Sequence, residues 1–354
     1  MKYALIVGTR PNFIKACAIL HEAKKRNISV DLIHTAQHYD KNMDEVFFNT
    51  LDIKKPDYKF PMPGLPSDEF FSFCFSYLCN LFKTNKYDRV LVVGDVNSTL
   101  IAALASQFCK IPLIHIEAGL RSFDRTMPEE INRVLVDNIS EQLFATEPSA
   151  VANLVAEKVP GKIHLVGNTM IDTLCLMKDK IDNCPSTRSP TSKYAIATFH
   201  RVKNVDDKAN LKKLIEILVS LSNMVEVVFP IHPRTFKNLD TTLAAELKDC
   251  VTMVDPLGYL EFMKLVKGAA FVLTDSGGIQ EETTHLGVPC LTLRDSTERP
   301  VTLTVNGGTN TLLPLSFDHV LAKVTEILDG KYPSKKYPFW DGNAAKRIFD
   351  ILEC

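Results

Sequence analysis

The sequence predicts an α/β protein built as two doubly wound, Rossmann-like domains facing a cleft. Three observations carry this reading. Its 354 residues exceed one ordinary compact domain and suit two. Short β-branched runs alternate with helical periodicity along almost the whole chain, the pattern of parallel strands covered by helices on both faces. A polar, proline-containing stretch interrupts that alternation near the middle.

The first strand is expected at 3–7, five apolar residues followed at once by Gly-Thr-Arg-Pro, which reads as strand and turn rather than signal peptide. A helix at 13–25 puts Ala16, Leu20 and Ala23 on one face. Strands at 30–34, 89–93, 112–116, 142–145 and 163–166 complete an N-terminal domain, 1–181. Residues 182–193, rich in Ser and Thr with two prolines and no periodicity, read as a linker. The alternation resumes with strands at 194–198, 225–229, 251–254, 270–274 and 289–293. A helix at 211–222 aligns Leu211, Leu214, Ile215, Leu218 and Leu221, and the C-terminal domain spans 194–336. In the tail, 337–354, a last helix near 344–352 is expected to pack back on the first domain.

The 41 Lys and Arg nearly balance 42 Asp and Glu, and no long basic run exists, so a nucleic acid is not an expected partner. Hydrophobic content of 45% and charged content of 23% exclude a disordered chain. No apolar run approaches the roughly 18 residues that span a bilayer, so no membrane is expected either. The nine cysteines are scattered, odd in number and free of C-x-x-C spacing, as buried thiols of a reducing cytoplasm would be.

In open α/β sheets ligands sit beyond the carboxyl ends of the strands, so the strand-to-helix turns carry the chemistry. The turn Gly8-Thr-Arg10-Pro11 through Lys15 offers free amides and two cations to an anion, set against a plain tight turn with solvated charges. It lacks G-x-G-x-x-G, so no dinucleotide is expected. At Asp275-Ser276-Gly277-Gly278 two glycines and a helix start can hold a diphosphate, and Glu281 or Glu282 a turn later can accept ribose hydroxyls. Asp95 and Glu117 end neighbouring strands, and Glu129 opens a following helix, giving three carboxylates on one rim for acid/base work. The plain alternatives are an N-cap for Asp95 and helix-dipole stabilisation for Glu129. His200-Arg201 and His232-Pro-Arg234 follow strands in the second domain and read as phosphate or sugar contacts, whereas His115 lies within a strand and reads as a satisfied core residue. No histidine or cysteine cluster has metal-ligand spacing, so no metal is expected.

Taken together, GTRP…IK (8–15), QHYD (37–40), GDVNST (94–99), HIEAGLRS (115–122), MPEEINR (127–133), GNTMID (167–172), FHR (199–201), DSGGIQEE (275–282) and RD…TERP (294–300) resemble the non-hydrolysing UDP-N-acetylglucosamine 2-epimerase family over nearly the full chain. The resemblance implies the two-domain glycosyltransferase-B architecture with UDP held mainly by the second domain. It also implies inversion at C2 of a UDP-2-acetamido sugar without a cofactor: UDP is eliminated to a 2-acetamidoglucal and then added back. By the same resemblance Asp95, Glu117 and Glu129 hold the acid/base positions and His200 stands close to the diphosphate. Arg10 matches a phosphate clamp and Glu282 a ribose ligand. Lys15, Arg133, His232, Ser276, Gly277 and Gly278 match further substrate contacts, and a homodimer is implied.

The chain reads QHYD and HRVKN where regulated bacterial members carry QHRE and HRREN, which weighs against activation by a second substrate molecule. Its QHYD and MPEEINR versions also resemble relatives acting on 2,3-diacetamido uronic acids and 6-deoxy-L-hexoses. Rival readings are a hydrolysing epimerase, which usually begins GSR rather than GTRP; a glycosyltransferase, which wants an acceptor surface; and a silent nucleotide-sugar-binding module, which has no need of the carboxylates.

Overall fold

The computed structural model describes residues 1–37, 43–61, 64–185, 193–330, 332 and 337–353. The chain divides into two units, Met1–Leu176 with Pro338–Cys354, and Met177–Tyr337.

In the first unit the elements run β1 (Lys2–Val7), α1 (Arg10–Lys25), β2 (Ser29–His34), α2 (Met43–Leu51), β3 (Tyr58–Lys59), α3 (Ser67–Asn85), β4 (Arg89–Val93) and α4 (Asn97–Phe108). There follow β5 (Leu113–Ala118), α5 (Pro128–Ile139), β6 (Gln142–Ala145), α6 (Pro148–Ala156), β7 (Lys162–Leu165) and α7 (Thr169–Leu176). The second unit holds α8 (Lys178–Asn183), β8 (Tyr194–Thr198), α9 (Val202–Val205), α10 (Lys208–Ser222), β9 (Glu226–Pro230), α11 (Pro233–Asn238) and α12 (Thr241–Cys250). It continues with β10 (Thr252–Val254), α13 (Tyr259–Gly268), β11 (Phe271–Thr274), α14 (Gly277–Leu286), β12 (Cys290–Leu293), β13 (Asn310–Leu313) and α15 (Phe317–Leu328), and α16 (Ala344–Leu352) returns to the first unit.

Each unit is a parallel sheet, ordered β3-β2-β1-β4-β5-β6-β7 in the first and β10-β9-β8-β11-β12-β13 in the second. Residues 3–7 are all buried, the continuous apolar run that an interior parallel strand needs because helices cover both faces. Strand order reverses between β1 and β4 in one sheet and between β8 and β11 in the other. At such a reversal the loops leaving adjacent strands of an open α/β sheet run to opposite faces, which is where a ligand crevice forms in this class of fold.

Two strands lie outside the sequence expectation. β3 is two residues long, and β13 begins on polar Asn310 and Thr311, so neither shows an apolar run. The division falls before α8 rather than after residue 181. Asp182 pairs with Lys267 of α13 at 2.5 Å and its carbonyl accepts from Lys264 at 3.2 Å, which ties α8 to the second unit. Most of the expected linker lies outside the described residues. Among the described residues no helix is long and apolar enough to cross a membrane.

The terminal helix α16 packs on α1 and α7. Phe349 meets the edge of the Tyr3 ring at 6.3 Å, and Arg26 binds Asp350 at 2.6 Å and Glu353 at 2.7 Å. Asp172 of α7 caps α16 by accepting from the Ala345 amide at 2.7 Å, and burial pushes its carboxyl up from 3.8 to about 6. A carboxyl with a raised folded-state pKa binds more protons folded than unfolded between those two values. Stability from this group is therefore present in acid and is lost as pH rises through about 6. The loss above that window is about 3 kcal/mol. Asp172→Asn keeps the cap without the charge, so its melting temperature should exceed that of the parent by several degrees at pH 7.5 and match it near pH 4. An equal difference at both values would show that the Asp172 carboxyl does not titrate in this window.

Candidate functional site

The turns at both switch points are where chemistry-bearing side chains collect. In the first unit, Gly8 closes β1 with its α-carbon so near α4 that a Cβ would lie 2.2 Å from Ser98 Oγ. Asn12 then folds back: its Oδ1 accepts from the Gly8 amide at 3.3 Å and the Thr9 amide at 3.1 Å, while its Nδ2 donates to Val93 O at 2.9 Å. These two amides are thus spent internally, which corrects the expectation that they are free for an anion. Arg10 stacks over the Phe47 ring at 5.0 Å. Lys15 is buried and pairs with Glu117, so the anion reading of this turn rests on Arg10 rather than on amides or Lys15.

Glu117 sits where β5 slips register against β6, between Ile116 and Ala118, with φ at +72°. A bulge of this kind re-aims a side chain, and a left-handed glutamate is strained unless its surroundings hold it. The turn after β4 lies against it: a Cβ on Gly94 would stand 3.2 Å from Lys15 Nζ and 3.8 Å from Glu117 Oε2. Asp95 is not the cap of α4, whose N-cap is Val96. Its carboxylate pairs instead with Arg133 of α5 and is 23% exposed. Asn132 donates to the Asp95 carbonyl at 2.8 Å, so α5 grips the turn twice. Asp95, Arg133, Glu117 and Lys15 therefore form one cluster at the β1–β4 switch point.

Two adjacent glutamates at the start of α5 part company. Glu129 is exposed. Glu130 is buried and accepts from the Ser122 amide at 2.9 Å, the Phe123 amide at 3.0 Å and Arg133 at 2.8 Å. Burial alone would raise the Glu130 carboxyl, but those donors hold it below the usual carboxylate range. Glu130 carries the structural task and leaves Glu129 to solvent. Sequence reading missed Glu130 because two neighbouring glutamates in a first turn look alike until the helix phase is known.

In the second unit Asp275 ends β11 fully buried and organises the opposite loop. It accepts from the His200 amide at 3.1 Å, the Arg201 amide at 3.0 Å and Asn204 Nδ2 at 3.1 Å, and its Oδ1 lies 3.4 Å from His200 Nδ1. The His200 side chain is 41% exposed at its edge yet crowded by protein elsewhere. That desolvation lowers its pKa below 6.5 against the pull of Asp275, with Arg201 and Arg234 adding to the lowering. The His232 ring stands 5.6 Å from the His200 ring. Arg201 donates to the Asp275 carbonyl at 2.9 Å, and Arg234 pairs with Asp206 at 2.7 Å, so each of these arginines also braces the loops around it.

Ser276 is the N-cap of α14, and Gly277 and Gly278 open the helix, whose first amides have no partner within the helix. A Cβ on Gly277 would lie 2.8 Å from Glu298 Oε1, because an ion network packs beneath it: Glu298 with Arg299 and with Arg294 at 3.0 Å, and Arg299 with Glu281 at 2.9 Å. Glu281 is thereby held in that network, and Glu282, one residue on, is also buried. In QHYD, Gln37 accepts from Ser98 Nα at 2.9 Å and the other three residues lie outside the described ones. His115 is buried with both ring nitrogens engaged, as expected of a core residue.

Comparison with known proteins agrees over the full length. A profile of the UDP-N-acetylglucosamine 2-epimerase family matches residues 21–353. The chain is 42% identical to the UDP-N-acetylglucosamine 2-epimerase of Methanococcus maripaludis, covering 99% of this chain and 98% of that one. It is 37% identical to the UDP-2,3-diacetamido-2,3-dideoxy-D-glucuronate 2-epimerase of Pseudomonas aeruginosa, over 99% of each. Among solved structures, the UDP-GlcNAc 2-epimerase of Methanocaldococcus jannaschii in complex with UDP-GlcNAc and UDP superposes with a TM-score of 0.91 at 40% identity, covering 100% of this chain and 99% of that one.

Proposed function

The chain belongs to the UDP-N-acetylglucosamine 2-epimerase family, and from that premise we propose that it interconverts UDP-N-acetylglucosamine and UDP-N-acetylmannosamine. The observation that supports this most is the Asp95–Arg133 and Lys15–Glu117 cluster at the switch point of the first sheet. C2 of the sugar bears a proton that no neighbouring carbonyl acidifies. Removal of that proton is therefore coupled to departure of UDP: the C2–H pair forms the C1–C2 double bond as the C1–O bond breaks. Return delivers a proton to the opposite face of C2 while a UDP oxygen attacks C1. Asp95, Glu117 and Glu129 are the proton handlers in this reading. Arg10 and the α14 amides, with Ser276, Gly277 and Gly278, bear the charge of the diphosphate. Glu282 takes the ribose, and neutral His200 with His232 hydrogen-bonds the phosphates. Arg133 and Lys15 act on the substrate through the carboxylates they pair with.

The elimination is tested by placing 18O in the oxygen bridging C1 and the β-phosphorus. The label should scramble into the non-bridging β-phosphate oxygens at a rate comparable to epimerisation. Epimer formation with the label fixed in place would contradict C1–O cleavage. A second substrate, a UDP-2,3-diacetamido uronic acid, is favoured by the likeness to the P. aeruginosa enzyme, and the same label in that sugar nucleotide distinguishes the two.

We also assign a homodimer and a cytoplasmic setting. The first is supported by an apolar face on α3 and α4, where Phe71, Leu104 and Phe108 are exposed and the Phe75 and Phe108 rings meet edge-to-face at 5.7 Å. Phe108→Glu should halve the mass seen by light scattering, and an unchanged mass would place any interface elsewhere. The second is supported by the buried free thiols of Cys17, Cys74, Cys79 and Cys290.

A further inference from the structure

One buried ion network lies behind the proton-handling cluster and touches each segment that builds it. His115 on β5 and Asp137 on α5 are both fully buried. His115 Nδ1 lies 2.6 Å from Asp137 Oδ1, and its Nε2 lies 2.9 Å from the carbonyl oxygen of Gly94, the residue before Asp95. Asp137 also accepts from the Gly119 amide at 3.1 Å and binds Arg121 at 2.7 Å, and Arg121 clasps Glu157 at 2.7 Å through two nitrogens. Burial would raise the Asp137 carboxyl, but His115 and Arg121 outweigh it and keep it ionised. A carbonyl oxygen only accepts, so His115 Nε2 donates to Gly94 O.

Such a network is a poor source of stability, because desolvating its charges costs about what their attraction returns, and apolar replacements are often neutral. Its geometry is specific. Gly94 takes φ at +71° and Gly119 at +84°, and the strained Glu117 lies between His115 and Gly119. The ring thus bridges the peptide that aims Asp95, the strand that aims Glu117, and the helix that carries Glu129 and Arg133.

We infer that His115, held by Asp137, is a positioning residue that fixes the Asp95 turn in register with the Glu117 bulge for proton transfer at C2. This rests on the proposed epimerisation. Removing the bond to Gly94 lets the turn shift without touching the nucleotide contacts of the second unit, and displacements on the order of 1 Å at a reacting group lower rates about 100-fold.

The test compares His115→Asn, His115→Gln and Asp137→Asn in the full chain. It reads kcat and KM for C2 deuterium exchange on UDP-N-acetylglucosamine, Kd for UDP, and the melting temperature. A glutamine amide reaches roughly where Nε2 stands and keeps the donor to Gly94, whereas asparagine reaches only the Asp137 side. His115→Asn should lower kcat by about 30- to 100-fold with KM and the UDP Kd within about threefold, and His115→Gln should recover to within about fivefold of the parent. Asp137→Asn, which loosens the ring, should fall between them. Equal kcat in the two histidine variants, activity of all three within twofold of the parent, or a common loss of folding would overturn the proposal. A parent chain inactive on every UDP-2-acetamido sugar removes the function reading, and this one with it.

Discussion

Asp95→Asn abolishes C2 proton exchange, lowering it by at least about 1,000-fold, while UDP affinity stays within about threefold of the parent. Asparagine keeps the size of the side chain and an oxygen for Arg133, so the link from the β4 turn to α5 survives. What disappears is the capacity to take a proton, a term worth roughly 10²- to 10⁴-fold in general acid/base catalysis. The nucleotide contacts proposed on α14 and around His200 belong to the second unit and are untouched. Calorimetry with UDP beside an exchange assay separates the two effects. Exchange at parental rates would remove Asp95 from the chemistry, and joint loss of exchange and UDP binding would make its role one of folding.

The second large effect lies at the Lys15–Glu117 pair. Both side chains are almost wholly buried, and Lys15 is an ion-pair partner of Glu117. Lys15→Met takes this cation away from a buried carboxylate, and breaking a buried pair from one side costs about 3–5 kcal/mol. Exchange should fall more than about 100-fold at the same time, since the strained Glu117 loses the contact that holds its bulge. The double variant Lys15→Met with Glu117→Gln removes both charges and should recover most of the stability but none of the activity. Urea unfolding of the parent, both single variants and the double variant closes the cycle. A single-variant cost below about 1 kcal/mol would mean that water reaches Glu117 and the pair is not buried in solution.

How much of this was legible beforehand follows the physics of each feature. The parallel sheets were readable because interior strands such as β1, β4 and β11 must be apolar on both faces. β3 and β13 were not, being short or polar. Strand ends marked Asp95, Glu117, His200 and Ser276, since a parallel sheet delivers ligands there whatever the sequence between. Hydrogen-bond use of the same turns was hidden. Asn12 consumes the Gly8 and Thr9 amides, Arg234 is spent on Asp206, and Glu130 rather than Glu129 braces the loop at 122–123. Each depends on a partner distant in sequence, or on a helix phase that composition does not encode. Asp137 was invisible for the same reason: an acidic residue on an amphipathic helix reads as solvated until His115 and Arg121 are seen against it.

In the proposed reaction, proton transfer at C2 proceeds with UDP leaving and returning on one protein. Incubation with UDP-N-acetylglucosamine in heavy water, without acceptor or nicotinamide, followed by proton NMR of the sugar, tests it most directly. Deuterium is expected at C2 of both epimers with UDP still attached at equilibrium. Free N-acetylmannosamine with stoichiometric UDP would identify a hydrolase instead, and a C2 proton that never exchanges across a panel of UDP-2-acetamido sugars would rule out epimerisation at C2.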